Sequence, residues 1–81
     1  MVFEIIWDQN TLKFLDKLPK QEAKRIITKI DMARSNPMHY AGRLVDSEIY
    51  KIRVGDYRVF IDIHADKEII TVRSIRHRRN A

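Results

Sequence analysis

The segment IYKIRVGDYRVF, residues 49–60, constrains the fold more than any other part of the chain. Two runs of β-forming residues flank Gly55-Asp56, a dipeptide suited to tight hairpin turns because glycine adopts positive φ without strain. We therefore predict two antiparallel strands paired about this turn. Counting outward from the turn places Arg53 directly opposite Arg58.

The predicted pairing sorts the side chains of the hairpin onto two faces. Alternate residues of a strand point to opposite faces, and paired residues share a face. The apolar face comprises Tyr50, Ile52, Val54, Tyr57 and Val59. The other face holds Lys51, Arg53 and Arg58. Like charges directly opposite each other destabilise a sheet by about 0.2–1 kcal/mol, so the cationic cluster suggests an anionic partner.

The N-terminal half of the chain predicts one strand and two helices. Residues 2–7, VFEIIW, are rich in β-formers, and Asp8 or Asn10 is placed to cap the helix that follows. Three leucines at helical spacing mark that helix, which ends at Pro19. A second helix is expected over residues 20–34, and a loop over residues 38–47. The apolar stripe expected on the second helix comprises Ala23, Ile26, Ile27, Ile30 and Ala33.

The C-terminal part predicts the second hairpin strand over residues 57–63 and a last strand over residues 68–75. If these strands pair through their short turn, Ile61 faces Val72 and Val59 faces Ser74. The element order is then β-α-α-β-β-β, an α+β fold. We expect one domain over residues 1–81, an antiparallel sheet with an N-terminal helical hairpin packed on one face.

Composition narrows the cellular setting and the class of partner. The chain has no cysteine, which excludes a disulfide framework and thiol chemistry. No signal peptide or membrane-spanning segment is evident, so we expect a cytoplasmic protein. The net charge is +5, and residues 49–81 contribute most of it, with eight basic residues against four acidic ones. A surface formed by this basic segment suits a polyanion such as nucleic acid. The alternative is a basic surface that is merely solvated.

Two segments carry a resemblance to a known family. The chain resembles the RelE/ParE superfamily of toxins from toxin–antitoxin pairs. The resemblance lies in the hairpin segment YKIRVGDYRVF and in the segment IRHRRNA near the C-terminus. The resemblance extends over nearly the whole chain, including the helical hairpin joined at LPK. The hairpin signature is the most specific part of it.

The resemblance implies one of two activities. RelE-like members cut messenger RNA in the ribosomal A site without a metal and so inhibit translation, whereas ParE-like members act on DNA gyrase without being enzymes. We expect the first activity, with gyrase inhibition as the alternative and a non-catalytic RNA-binding module as a third interpretation. The resemblance also implies a cognate antitoxin, which we expect to be acidic and helical.

The family pattern assigns roles to positions of this chain. Lys51 and Arg53 match its basic pair before the turn, Arg58 matches the arginine after the tyrosine of the turn, and Arg78 matches the arginine of the tail. The expected catalytic residues are Arg58, Arg78, Lys51 and His77. The expected RNA or phosphate contacts are Arg53, Arg73, Arg76 and Arg79.

Elementary chemistry agrees with these assignments. Arginine binds phosphate oxygens bidentately and remains charged. Neighbouring cations disfavour the protonated form of a lysine, which makes Lys51 a candidate base, and His77 is the other candidate for proton transfer. The alternatives are that the arginines spread into solvent, or that Asp56 and Asp62 pair with them. The histidines and carboxylates lack metal-ligand spacing, so we expect no metal and no cofactor.

The chain departs from the family pattern at two places. Arg76 stands where a glycine usually precedes the tail. The tyrosine often found beyond the tail would fall one position after Ala81. In RelE-like enzymes that tyrosine takes part in the chemistry, so the alternatives are a shortened polypeptide, a substitute residue or an impaired enzyme.

Overall fold

A computed structural model describes residues 2–43 and 49–80. The helices are α1 (Gln9–Asp16), α2 (Lys20–Ala33) and α3 (Pro37–Tyr40), and Arg78–Asn80 form a 3₁₀ turn. The strands are β1 (Glu4–Trp7), β2 (Gly42–Arg43), β3 (Ile49–Val54), β4 (Tyr57–His64) and β5 (Ile69–His77). The predicted α+β class and the predicted order of the main elements are confirmed.

The strands form a five-stranded sheet in the order β1-β5-β4-β3-β2. The pairs β2–β3, β3–β4 and β4–β5 are antiparallel. The prediction of a wholly antiparallel sheet is wrong for β1, which runs parallel to β5. Parallel neighbours require a long crossover connection, and the helices and strands between β1 and β5 supply it.

The β3–β4 hairpin has the predicted register. Arg53 pairs with Arg58 and Lys51 pairs with Phe60. Gly55 in the turn has a φ of 57°, a left-handed conformation that suits glycine because it has no Cβ. The hairpin register therefore follows from the sequence alone.

The β4–β5 pairing follows the prediction only as far as a β-bulge. Ile61 pairs with Val72 as predicted, but Val59 pairs with Ile75 and not with Ser74. Arg73 is the extra residue and has no partner on β4. The bulge lets both Val72 and Ile75, three positions apart, face the core, where they are 0% and 5% exposed.

The helices begin and end close to the predicted positions. Asp8 is the residue that caps α1, because its Oδ1 accepts a hydrogen bond from the Asn10 backbone N–H at 2.8 Å. The prediction of an apolar stripe on α2 is wrong for Ile27, because this residue is 46% exposed. The remaining isoleucines of that stripe are buried.

The segment predicted as a loop, residues 38–47, contains regular structure. Most of the short helix α3 and all of the two-residue strand β2 lie within it. Proline at the first helical position favours the start of α3. Residues 44–47 of the predicted loop lie outside the described residues.

The hydrophobic core lies between the helices and one face of the sheet. Leu15 of α1 packs there with residues of α2 and of strands β3 to β5. The core residues are Leu15, Ile26, Ile30, Ala33, Ile52, Val54, Val59, Ile61, Ile70, Val72 and Ile75. We call the opposite face of the sheet the open face, because no described helix packs on it. Within residues 2–43 and 49–80, no helix has the length and apolar character needed to span a bilayer.

Candidate nucleic-acid interface

Three arginines form a row across the open face of the sheet. Arg53 of β3 pairs with Arg58 of β4, and Arg58 pairs on its other side with Arg76 of β5. Neighbouring strands lie about 4.8 Å apart, so the three side chains leave the sheet close together. We call Arg53, Arg58 and Arg76 the arginine row.

The bulge at Arg73 places the third arginine in the row. Without the extra residue, Arg76 would share the face of Val72, which lies in the core. The bulge reverses the alternation of β5, so that Ile75 faces the core and Arg76 faces outward. The row thus depends on one unpaired residue in β5.

Two carboxylates near these cations pair with other arginines. The Asp62 Oδ2 accepts a hydrogen bond from the Arg73 Nη1 at 2.7 Å. The Asp56 Oδ1 lies 3.8 Å from the Arg78 Nη1. Among the described residues, no carboxylate lies within 4.0 Å of a side-chain nitrogen of the arginine row or of Lys51. The alternative of internal pairing therefore holds for Arg73 and Arg78, while the arginine row keeps its charge available to a ligand.

A cleft of about 230 Å³ lies at the hairpin end of the open face. It is lined by Arg53, Gly55, Asp56, Tyr57, Arg58 and Arg78. The C-terminal turn reaches this cleft because the Arg78 backbone N–H donates to the Asp56 carbonyl oxygen at 2.7 Å. Guanidinium groups from three separate elements thereby meet in one concave, solvent-facing site, a geometry suited to a phosphate.

His77 lies beside this cleft but on the other face of the sheet. It pairs with Tyr57, and the two rings meet edge-on with centroids 5.2 Å apart. Its Nδ1 accepts a hydrogen bond from the Arg79 backbone N–H at 3.2 Å. Tyr57 also contacts Phe14 of α1, with ring centroids 6.3 Å apart. The structure therefore packs His77 within an aromatic group, separate from the arginine row.

The other predicted residues lie at different distances from the cleft. Lys51 lies on the open face, two positions along β3 from Arg53, and is half-buried. Arg79 is exposed in the C-terminal turn, directly after Arg78. Arg73 lies at the bulge, paired with Asp62 and absent from the cleft lining. The structure thus brings together Arg53, Arg58 and Arg78, with Arg76 and Lys51 as neighbours.

Sequence reasoning missed two contributors to this region. Tyr57 was predicted only as a member of the apolar face of the hairpin, yet it also lines the cleft. Arg25 of α2 lies over the hairpin turn, because a methyl group on Gly55 would stand only 3.2 Å from its Nη2. Nothing in the sequence identifies Arg25, since it follows Lys24 on the polar side of an amphipathic helix.

The described residues contain no group of three or more His, Cys, Asp or Glu side chains placed to hold a metal ion. The ionisable side chains that line the cleft are those of three arginines, one aspartate and one tyrosine. Such a set binds an anion and stabilises additional negative charge that develops on it.

Comparison with known proteins gives a family match over most of the chain. The model of the family described as "ParE toxin of type II toxin-antitoxin system, parDE" matches residues 5–81. No curated protein sequence matches the chain.

Several solved structures share the fold. An archaeal RelE–RelB complex from Pyrococcus horikoshii OT3 contains a chain 23% identical, with a TM-score of 0.85 and full coverage of both chains. The RelBE2 complex of Mycobacterium tuberculosis has a chain 15% identical, with a TM-score of 0.84, covering 95% of this chain and 99% of that one. The YoeB/ParE toxin from Agrobacterium tumefaciens is 14% identical, with a TM-score of 0.68, covering 93% of this chain and 98% of that one.

Proposed function

We propose that this chain, which belongs to the ParE toxin family of type II toxin–antitoxin systems, cleaves messenger RNA on the ribosome and thereby inhibits translation. The observation that carries this proposal is the arginine row, which lies beside a cleft lined by Arg53, Arg58 and Arg78. Opposed like charges destabilise the sheet, and a bound phosphodiester offsets their repulsion. A protein target alone would not require this arrangement.

The proposed reaction uses the 2′-hydroxyl of the RNA as the nucleophile. The 2′ oxygen forms a bond to phosphorus, the bond from phosphorus to the 5′ oxygen breaks, and a 2′,3′-cyclic phosphate results. A base removes the 2′ proton, and an acid delivers a proton to the departing 5′ oxygen. The phosphorane gains negative charge in between, which fixed cations stabilise.

Arg58 is the central cation of this proposal. It is half-buried, it lies between Arg53 and Arg76, and it lines the cleft. Arg78 approaches from the C-terminal turn and faces the hairpin turn across the cleft. Planar guanidinium groups in these positions hold the non-bridging oxygens and remain charged throughout the reaction.

Lys51 and His77 are the candidates for proton transfer. Lys51 shares the open face with the arginine row and has no carboxylate partner among the described residues, which supports it as the base. His77 faces Tyr57 on the other side of the sheet, and its Nδ1 accepts a hydrogen bond. A role for His77 as the acid requires its Nε2 to reach the leaving oxygen around the edge of the cleft.

The proposed partners are the ribosome with its mRNA, in the cytoplasm, and a cognate antitoxin. Support for the antitoxin comes from the family and from similar chains solved as RelB–RelE complexes. The cations of the arginine row, which have no ion-pair partner among the described residues, favour an antitoxin with acidic residues that neutralise them. This antitoxin is proposed to inhibit the toxin by covering the cleft.

The second candidate is inhibition of DNA gyrase without catalysis. The observation that favours it is the family match itself, which is to the ParE branch. In this case the basic face would contact gyrase or its DNA, and no bond in RNA would break. The two candidates predict different results in the same pair of assays.

The deciding experiment adds the purified chain to a reconstituted translation reaction and maps the mRNA ends by primer extension. We expect new 5′ ends within translated codons, which are strongly reduced with Arg58→Gln. Lys67→Gln is the matched control, because it removes one positive charge in the exposed β4–β5 turn. Uncut mRNA, together with inhibition of gyrase supercoiling at micromolar protein, would contradict the proposal and support the second candidate.

A further inference from the structure

An aromatic side chain lies on the open face next to the arginine row. Phe60 follows Arg58 by two positions on β4, so it shares the face of that arginine. It pairs with Lys51 on one side and with Ser74 on the other. Phe60 is half-buried and is not among the residues that pack against the core. Its ring therefore offers a surface to a ligand bound outside the sheet.

A hydrogen-bonding group lies just beyond this ring. Asp62 follows Phe60 by two positions on β4, and its side chain is only 19% exposed. It accepts a hydrogen bond at 2.7 Å from Arg73, the bulge residue, whose side chain is 58% exposed. A carboxylate has about four acceptor positions, so the bond from Arg73 leaves Asp62 able to accept another from a ligand. The bulge that places Arg76 in the row thus also supplies the arginine that orients Asp62.

The spacing of these groups matches the parts of one nucleotide. Residues two apart on a strand are separated by about 6.6 Å, so Arg58, Phe60 and Asp62 lie at regular intervals along β4. A phosphate held by the arginine row places the sugar beside the ring of Phe60 and the base over that ring. The hydrogen-bonding edge of the base then points toward Asp62.

We propose that Phe60 and Asp62, with Arg73 as a positioning residue, form a base-recognition subsite that favours bases with an exocyclic amino group over uracil. This inference rests on the proposed function, in so far as the arginine row binds RNA phosphate. Aromatic rings stack with every base, so Phe60 contributes affinity. Asp62 contributes the discrimination.

The discrimination follows from the acceptor character of a carboxylate. Cytosine presents an amino group to a carboxylate, and adenine and guanine also carry one. Uracil presents one N–H flanked by two carbonyl oxygens, and these oxygens repel the negative charge of Asp62. The hydrogen bond from Arg73 holds Asp62 in one orientation, which is what selective recognition requires.

The test compares two single-stranded RNA hexamers, rC6 and rU6, that differ only in the amino or carbonyl character of the base edge. Fluorescence anisotropy at 50 mM salt measures the binding of each hexamer to the full 81-residue chain. We expect rC6 to bind about tenfold more tightly than rU6, the effect of one hydrogen bond to a charged group. Asp62→Asn should make the two affinities equal, because the amide also donates to uracil.

Two further variants keep the result interpretable. Asp66→Asn removes the same charge in the exposed β4–β5 turn and should preserve the preference for rC6. Phe60→Leu should weaken the binding of both hexamers about tenfold through loss of stacking. This variant tests the subsite if Asp62→Asn does not fold. Urea unfolding of each variant verifies the fold.

The inference is overturned if wild-type protein binds rC6 and rU6 equally, or if Asp62→Asn keeps the preference for rC6. It is also overturned if neither hexamer binds at 200 μM, or if Phe60→Leu binds as wild type does, a result that would assign the ring to a protein partner. Failure of the proposed function gives a different pattern. Discrimination without mRNA cleavage contradicts the nuclease alone, while cleavage with equal hexamer affinities contradicts the subsite alone.

Discussion

Replacing Arg58 by glutamine is expected to stabilise the folded protein while it slows cleavage by about 10²-fold or more. Arg58 has a like charge directly opposite it on both neighbouring strands, Arg53 on β3 and Arg76 on β5. Each such pair destabilises a sheet by about 0.2–1 kcal/mol. Removing both pairs should therefore raise the free energy of unfolding by about 0.4–2 kcal/mol at low ionic strength. The half-buried stem of the side chain is largely retained in glutamine, so little packing is lost.

Salt dependence separates this electrostatic effect from a packing effect. The Debye length falls to about 3 Å in 1 M salt, below the strand spacing of about 4.8 Å. The gain in unfolding free energy should therefore be largest in 20 mM salt and nearly absent in 1 M salt. Urea unfolding followed by circular dichroism measures it directly. In a domain of this size, each kcal/mol also raises Tm by about 4–8 °C.

Two further variants measure how much each opposed arginine pair contributes to the change in unfolding free energy. Arg53→Gln and Arg76→Gln each remove one of the two opposed pairs, so each should give about half the stabilisation of Arg58→Gln. Lys67→Gln removes the same charge from the exposed β4–β5 turn and should change stability by no more than about 0.5 kcal/mol. The reasoning is refuted if Arg58→Gln leaves stability unchanged or lowers it in 20 mM salt. It is equally refuted if the gain persists in 1 M salt.

Two substitutions test the local structure that positions the site. Gly55→Ala should lower the free energy of unfolding by about 1–2 kcal/mol, because it places a Cβ at a φ of 57° and 3.2 Å from the Arg25 guanidinium. Gly42→Ala, where no heavy atom lies within 4 Å of the added carbon, is its control, and equal losses in the two variants would contradict the account. Asp8→Ala should cost about 1 kcal/mol by removing the cap of α1, as measured by urea unfolding. A wild-type midpoint for that variant would show that the cap contributes nothing.

The sequence predicts the hairpin and its cationic face because both depend on local rules. Gly55-Asp56 sets the turn, and strict alternation then determines which side chains share a face with Arg53 and Arg58. The burial of Ile26 and Ile30 on α2 follows from helical periodicity in the same way. In each case the relevant residues are close in sequence.

The features that could not be predicted depend on tertiary contacts. The bulge at Arg73 is required because Val72 and Ile75 both fill the core, and simple alternation gives no sign of it. The position of Arg76 opposite Arg58 and the pairing of Arg73 with Asp62 both result from that bulge. The parallel pairing of β1 with β5 likewise joins the two ends of the chain. The sequence therefore predicts which residues are cationic and solvent-facing, but the bulge decides which of them meet.

The most direct test of the central claim compares single-turnover mRNA cleavage on programmed ribosomes by wild type, Arg58→Lys and Arg58→Gln. Arg58→Lys keeps the charge but loses the bidentate fork, so it should retain partial activity, whereas Arg58→Gln should be slower than wild type by about 10²-fold or more. We predict that the wild-type product ends in a 2′,3′-cyclic phosphate. Equal cleavage rates for wild type and Arg58→Gln, or intact mRNA with every variant, would contradict the claim that the arginine row acts on the phosphodiester.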